Sequence, residues 1–436
     1  MKAVKLGLLG LGTVGGGTVE ILQESLSEIQ RRLGQTIEIS IIAVRDLNRP
    51  RNVDTADIQL TDQPMDVVNH QDVDIVVELM GGTEFAKTLL ETAIQNGKHV
   101  VTANKALIAE HGNELFALAN KHNVIVSYEA AVAGGIPIIK AMREGLAGNQ
   151  IEWVAGIING TGNYILTEMK QPGADFATVL KTAQELGYAE ADPTFDVEGI
   201  DAAHKLTILA SIAFGIELQF NKVYTEGISK ISADDIRFAS QLGYEIKHLG
   251  MASRTENGYS LRVHPTMVPK SVLIANVNGV MNAVMAYGNH VGPTMYYGPG
   301  AGAGPTASAV VADIIDVIRW QDQPQQDRVP ALGFKGDQLQ QAPVVSIDEI
   351  ESAYYIRCFA LDHAGVLAKI TTILAEFNIS VEHMLQEPSK SNKNDATLVM
   401  ITNTVKEADM NTALASLQAL DEIDGEIMRI RVDSLG

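Results

Sequence analysis

Six residues near the start, Gly10-Leu-Gly12-Thr-Val-Gly15, constrain the fold more than any other stretch of this chain. They follow a short apolar run, 3–9, that reads as a buried strand, and they open a segment that reads as a helix to about Arg32. The first glycine permits a tight turn, the second lets the backbone approach a pyrophosphate, and the third lets the helix lie close on the strand. The free N–H groups of the helix start then face the phosphates. A structural loop can have the same pattern. Its place between a strand and a helix favours a dinucleotide site made of Gly10, Gly12, Thr13, Val14 and Gly15.

The next apolar strand, 37–44, ends Ala43-Val44-Arg45-Asp46. An acid here takes the ribose 2′-hydroxyl of NAD, whereas an arginine accommodates the 2′-phosphate of NADP. Both are present and Arg45 comes first, which favours NADP, with NAD as the alternative. Arg45 also reads as a plain solvated strand end. Further strands at 73–79, 99–102 and 124–128 are separated by helical patterns at 87–96 and 112–122. That alternation predicts an α/β fold with a doubly wound parallel sheet, a Rossmann domain.

After Glu129 glycine-rich turns (Gly134-Gly135 and 159–163) alternate with strands and long helices to about Met285, and a helix rich in small residues follows at 306–319. Residues 321–349 are rich in Gln, Pro and Asp with little periodicity and read as a linker. From 352 a separate small domain is expected. It has a strand at 354–361, a helix with Val366, Leu367, Ile370, Ile373, Leu374 and Phe377 on one face, strands at 380–387 and 396–403, a helix at 407–419 and a strand at 426–433. That order is β-α-β-β-α-β, the ferredoxin-like pattern.

A chain of 436 residues exceeds one ordinary core, so two or three domains are expected. The net charge of -20 argues against nucleic acid and against an anionic membrane surface as partners. No apolar run approaches the roughly 20 residues of a membrane span. A single cysteine, Cys358, rules out an internal disulfide and suits a reducing cytoplasm. The opening MKAVKLGLL could pass for a secretion signal, but glycines interrupt it and no small-residue cleavage site follows; a buried strand is the better reading.

Between Gly187 and Lys205 five acids (Glu190, Asp192, Asp196, Glu198 and Asp201) precede one lysine. Clustered acids repel, and persist where something positive is bound or where the stretch is solvated. Calcium-loop spacing fails here, and His204, Cys358 and the other histidines show no zinc-ligand spacing. Lys105 follows the strand 99–102 at its carboxyl end, the side of an α/β sheet where ligands bind. The loop Asn159–Tyr164, with Thr161, opens a helix and could offer donors to a carboxylate.

The acidic stretch resembles the signature of the homoserine dehydrogenase family at Ala183, Gly187-Tyr188, Asp192-Pro193, Asp196, Gly199, Asp201 and Lys205. The glycine loop, Thr102–Lys105, Asn159–Tyr164 and Gly298–Thr306 support the resemblance, which spans nearly the whole chain. It implies reversible, nicotinamide-dependent conversion of L-aspartate 4-semialdehyde to L-homoserine, on the route to threonine and methionine. The implied roles are Lys205 as proton donor, Lys105 as orienting group or second proton carrier, Glu190 and Asp201 at the substrate's amino and hydroxyl ends, and Asp196 orienting Lys205 or its loop. Which lysine moves the proton stays open. Gly187 and Gly302 are implied near the cofactor, the latter in a loop that otherwise reads as a hinge. A structural sodium site is implied at the Glu129 side chain and the carbonyls of Val132, Gly134 and Ile136, with a tight connection as the alternative.

Residues 352–436 resemble an ACT domain, with the turn Leu361–Leu367 its recognisable part. Asp362 can meet an ammonium and the following helix start a carboxylate. Such domains usually pair through their sheets. L-threonine is the implied effector, against a module that only adds dimer contacts. The expected organisation is 1–130 Rossmann (completed by 304–320), 131–303 substrate-binding and dimerisation, 321–350 linker and 351–436 ACT, in a homodimer or homotetramer. An oxidoreductase for another amino-acid aldehyde and a non-enzymatic sensor are the rival readings. The second does not need Lys105, Lys205, Glu190 and Asp201 together.

Overall fold

A computed structural model describes residues 3–388 and 395–436. Its first sheet has six parallel strands: β1 (Val4–Leu9), β2 (Ile37–Ala43), β3 (Gln59–Thr61), β4 (Ile75–Glu78), β5 (His99–Thr102) and β6 (Val126–Ser127). They lie in the order 3-2-1-4-5-6, the doubly wound arrangement that binds dinucleotides where the order reverses. β1 and β4 are almost wholly buried, as strands covered on both faces must be, which explains their unbroken apolar runs.

Three local features differ from the sequence reading. The first helix breaks at Ser25 into Thr13–Glu24 and Leu26–Leu33. The first piece buries Gly15, Gly17, Thr18, Val19 and Leu22, the second only Ile29, so the chain turns away from the sheet between them. β3 was unforeseen, because three residues show no periodicity. The helix after β5 spans Lys105–Lys121 and so begins well before 112. Asn104 caps it: its side chain accepts from the Leu107 amide (3.1 Å) and donates to the Gly82 carbonyl (2.6 Å).

Helix Ala303–Trp320 packs on helix Thr13–Glu24 and shares one apolar cluster with β1, through Val310, Ile314, Val317 and Ile318. The approach is close enough that a Cβ on Gly17 would stand 2.8 Å from the Ala303 carbonyl.

The second sheet joins the expected small C-terminal domain to the central domain. Its main path runs 292–299, 281–288, 151–157, 244–255, 258–269, 423–432, 351–361, 395–402, 381–388. The last four are the strands of the small C-terminal domain. They join the central domain because Ile423–Val432 pairs in parallel with Gly258–Pro269, Thr266 facing Arg431 and Met267 facing Val432. Helices Val366–Glu376 and Glu407–Gln418 cover one face of these four strands. The other face, with Tyr355, Val399, Ile401 and Ile430, packs against Ile236 and Phe238 of helix Ala233–Gln241. Both faces are therefore used within one chain, and strand Val381–Pro388 is an open edge. The 321–350 segment has three short turns and no longer element, yet it is tied down. Gln340 N donates to Gly215 O, Val345 N to Tyr259 O, and the Tyr128 hydroxyl to Ala331 O.

Candidate active site

Helix Ile200–Phe214 begins after Gly199, whose φ of 85° is a backbone state that glycine adopts without strain. Asp201 lies in its first turn and Lys205 one turn on, so both side chains share a face. Lys205 Nζ donates to Asp201 Oδ2 (2.7 Å) and to the Ile158 carbonyl (2.6 Å), at the end of strand 151–157. An ammonium has three donors, so one is left over. From the other side Lys105 Nζ meets Asp201 Oδ1 at 3.1 Å. Asp201 thus joins the two lysines, and helix 105–121 of the nucleotide-binding sheet meets helix 200–214 at this carboxylate.

Asn159 completes the cluster. Its Nδ2 reaches Asp196 Oδ1 (2.7 Å) and Asp201 Oδ2 (2.8 Å), while its Oδ1 accepts from the Gly162 amide (2.7 Å), capping helix Gly160–Glu168. One side chain therefore fixes both acids and the glycine-rich loop. The Asn159-Gly-Thr-Gly sequence carried the signal for a cap, but nothing local showed that the cap's amide would bridge two acids some forty residues on.

Burial alone would raise the Asp201 carboxyl, but the Lys205 and Lys105 charges outweigh it and hold Asp201 well below the usual carboxylate range. Burial lowers Lys205; Asp201 counters it, and repulsion from Lys105 adds to the lowering. An ammonium eased toward neutral pH is suited to giving and retaking a proton. Burial raises Asp196.

The other expected residues lie as follows. Thr161 is buried and its hydroxyl donates to the Tyr188 carbonyl (2.6 Å), pinning the loop after Gly187. Glu190 is exposed; its backbone carbonyl accepts from Gln184 Nε2 (3.0 Å), and its carboxylate has no partner among the described residues. In the glycine loop a Cβ on Gly15 would stand 2.4 Å from the Gly10 carbonyl, whereas a Cβ on Gly12 meets nothing within 4 Å. Gly15 is a packing glycine and Gly12 opens on free space at an uncapped helix start, which fits a pyrophosphate. Arg45 and Asp46 are exposed at the end of β2. Gly302 precedes helix 303–320, whose Ala303 lies against Gly17 of helix 13–24. A residue that the sequence did not single out supports this end of the sheet: buried Glu78 accepts from the Met80 and Gly81 amides and from the Thr102 hydroxyl (2.7 Å).

Glu129 is buried and its carboxylate accepts the Ile139 and Lys140 amides, both at 2.8 Å, while its own amide donates to Asp313 Oδ2. Burial pushes Glu129 up to about 7 and Asp313 well above its ordinary value. The chain is bent at Ala133 (φ 55°) and Gly134 (φ 47°). The carbonyls of Val132 and Gly134 accept no hydrogen bond among the described residues, while that of Ile136 takes the Ile138 amide.

Residues 137–315 match the family described as homoserine dehydrogenase, 10–129 its NAD-binding domain and 354–422 the ACT domain. A homoserine dehydrogenase of Pseudomonas aeruginosa is 57% identical over 435 residues, the full length of both chains. The crystal structure of a homoserine dehydrogenase from Thiobacillus denitrificans superposes with a TM-score of 0.95 at 55% identity, covering 100% of this chain and 99% of that one. This chain belongs to the homoserine dehydrogenase family. It is an oxidoreductase that acts on a CH–OH group with a nicotinamide cofactor, and its C-terminal strands and helices are an ACT domain. A hyperthermophilic archaeal homoserine dehydrogenase solved in complex with NADPH matches 72% of this chain and 98% of its own at 26% identity, with a TM-score of 0.61. The Lys105–Asp201–Lys205 bridge stands where the NAD-binding domain meets the central domain.

Proposed function

We propose that this chain reduces L-aspartate 4-semialdehyde to L-homoserine with NADPH preferred over NADH, and that Lys205 supplies the proton. The observation that carries this reading is the carboxylate of Asp201 held between two ammonium groups, one of which keeps a spare donor. The bound nicotinamide supplies the hydride. As the carbonyl electrons move to oxygen, that oxygen becomes basic, and Lys205 Nζ gives it a proton. Lys105 adds a second positive charge beside the same oxygen. Asp201 stays ionised and fixes both lysines at the hydroxyl end of the substrate, and Asp196 is oriented through Asn159. Glu190, whose carboxylate is exposed and uncommitted, takes the substrate ammonium. The helix start at Asn159–Asn163, with Thr161 holding the neighbouring loop, faces the substrate carboxylate.

Gly10, Gly12, Thr13, Val14 and Gly15 cradle the cofactor phosphates, Arg45 meets the 2′-phosphate, and Lys105, Gly187 and Gly302 line the nicotinamide end. The test is NADPH consumption with aspartate semialdehyde. Lys205→Ala should lower kcat by about 10²–10⁴ fold, the worth of a positioned proton donor. Glu190→Ala should chiefly raise the substrate KM. Wild-type protein inactive with both NADPH and NADH would refute the assignment.

A sodium ion suits the Glu129 carboxylate together with the free carbonyls of Val132 and Gly134, since a hard cation wants oxygen ligands. Its place is structural. We divide the chain into 1–130 with 304–320 for the cofactor, 131–303 for substrate and dimer contacts, 321–350 as a strap, and 351–436 as the regulatory module. We place the protein in the cytoplasm as a homodimer or homotetramer.

L-Threonine is the proposed feedback effector, bound beside Asp362 in a cavity of about 370 Å³ at the Leu361–Leu367 turn, where Gln386 Nε2 contacts Asp362 Oδ1 (3.3 Å). Support comes from a continuous chain of contacts toward the active site. Arg431 of the last ACT strand binds Glu407 and Glu226 (Nη1–Oε2 2.8 Å). The Glu226 carbonyl lies 2.9 Å from His248 Nε2, Ile228 N donates to Val197 O, and Ser229 donates to Glu198. The segment 224–229 thereby touches both the regulatory strand and the turn that carries Asp196 and leads to Asp201. Deleting 351–436 would uncover Ile236, Phe238 and a strand edge, so a point variant is the cleaner test. Asp362→Ala should keep activity and lose threonine inhibition; a variant as sensitive as wild type would refute the site.

A further inference from the structure

The two ammonium groups of the site rest on two different helices, so the distance between them depends on how those helices are clamped. His204 follows Ala203 and precedes Lys205 on helix 200–214, and it is fully buried. Its Nε2 lies 3.1 Å from Glu110 Oε1, on helix 105–121, little more than one turn beyond Lys105. The ring stacks on Phe220 (centroids 4.1 Å, planes 20° apart) and leans on Phe195 (5.4 Å). The other face of this aromatic group carries Lys105, whose Nζ is 5.9 Å from the Phe195 centroid. His204 Nδ1 has no partner among the described residues. Burial lowers the imidazole's proton affinity, against the pull of Glu110, so the ring is neutral with its proton on Nε2, donated to Glu110.

We propose that Glu110 and His204 form a positioning clasp that sets how closely Lys105 approaches Asp201, and hence how strongly Lys105 acts on Lys205. The clasp rests on the proposed roles of the two lysines. A second tie lies farther along the same helix: Asn113 Nδ2 donates to Leu218 O and Leu218 N to Asn113 Oδ1, each at 3.1 Å. That tie anchors helix 105–121 to the segment that follows helix 200–214, away from the first turn where Lys105 stands, so it is the clasp that bears on that turn. The charged groups acting on Lys205 are Asp201, Lys105 and Asp196, and of these Lys105 is the one the clasp can move.

The experiment measures kcat, KM and the pH profile of aldehyde reduction for His204→Leu, His204→Gln, Glu110→Ala and Glu110→Gln in the full-length protein. His204→Leu and Glu110→Ala should each lose about tenfold to a hundredfold in kcat, the cost of a small misplacement, with the NADPH KM within about twofold, since the phosphate loop is remote. With Lys105 withdrawn, its repulsion of Lys205 weakens, so Lys205 holds its proton to higher pH and the basic limb of the profile moves up. His204→Gln, which can still donate to Glu110, should restore both kcat and the limb, and Glu110→Gln, which can still accept, should fall in between. The idea is overturned if the limb stays in place in both His204→Leu and Glu110→Ala, whether or not kcat falls, because a purely structural loss would not move it. Should His204→Leu fail to fold, Glu110→Ala decides alone, because Glu110 keeps 34% of its side chain exposed.

If Lys205→Ala retains wild-type turnover, the proposed lysine chemistry is wrong and the limb needs another owner. If Lys205→Ala is inactive and the clasp variants keep the wild-type limb, only the clasp is wrong.

Discussion

Asp201 and Glu129 are equally hidden acids, 4% and 6% exposed, with opposite tendencies. Asp201 touches two ammonium groups and is driven to stay ionised. Glu129 is held by two backbone amides, has Asp313 beside it, and is pushed up to about 7. The Lys140 ammonium, whose backbone amide binds Glu129, is itself paired with Asp316. Burial opposes ionisation at both sites, so the deciding difference is full positive charges in contact at Asp201 against backbone dipoles and the weaker pull of Arg143 and Lys140 at Glu129. One site holds a fixed negative charge, and the other is poised to change charge near neutrality unless a cation joins it.

Removing the charge that distinguishes the first site gives the largest effect. Asp201→Asn keeps the shape but leaves Lys105 and Lys205 facing each other without their shared anion. We expect kcat to fall on the order of a hundredfold, with the basic limb of the pH profile at lower pH because Lys205 loses the group that favours its charged form. Steady-state rates from pH 6 to 10 check this. A variant with wild-type rates would mean that the two lysines do not depend on Asp201.

The second site predicts a dependence on pH and salt. Glu129 has a folded value raised from 4.5 to about 7, so its contribution to stability is fully present below about 4.5 and is lost as pH rises through about 7. The loss is about 3 kcal/mol at about 1.4 kcal/mol per pKa unit. A sodium ion on the carboxylate would keep Glu129 ionised and remove that loss. Thermal melts between pH 5 and 8.5 should therefore slope downward in choline chloride and run flatter in sodium chloride, and Glu129→Gln should abolish the difference. Identical slopes in the two salts would sink the sodium assignment.

The contrast between these acids was only half legible in the sequence. The glycine loop, the strand-helix alternation and the β-α-β-β-α-β order are local patterns, and the sequence places each close to where the structure does. Asp201 and Lys205 stand one helical turn apart, so their pairing follows from spacing. Lys105 does not: it meets Asp201 only because helices 105–121 and 200–214 dock, which no local pattern specifies. The same holds for Asn159 bridging Asp196 and Asp201. The parallel pairing of Thr266 and Met267 with Arg431 and Val432 likewise joins segments far apart in the chain, which is why the ACT strands read as separate. The environment of Glu129 depends on Asp313, a residue of a distant helix.

A smaller effect is expected at Asp313, the neighbour of Glu129. Burial and then the Glu129 charge push the Asp313 carboxyl well above its ordinary value. A neutral amide imitates the protonated form that this shift favours and can still accept from the Glu129 amide. Asp313→Asn should leave the melting temperature at pH 6 within about two degrees, the effect of less than about 1 kcal/mol in a chain of this size, and raise it slightly at pH 8.5. A large loss of stability at both pH values would show that Asp313 is ionised in the folded protein and that the comparison with Asp201 has been drawn wrongly.

The smallest effect belongs to an acid of the same stretch that lacks burial. Asp192 lies in the open, where its Oδ1 accepts the Thr194 amide at 3.1 Å, and hydrogen bonds from the Thr194 side chain and backbone hold it below its ordinary value. Water screens this carboxylate, and no lysine touches it among the described residues. Asp192→Asn retains an acceptor for the Thr194 amide, so kcat should stay within about twofold and show no displaced pH limb, in contrast to Asp201→Asn. The two variants remove the same charge nine positions apart. If Asp192→Asn lost as much activity as Asp201→Asn, proximity to the ammonium pair would not be what gives a carboxylate its weight in this stretch, and the crowd of acids before Lys205 would have to act as one collective field.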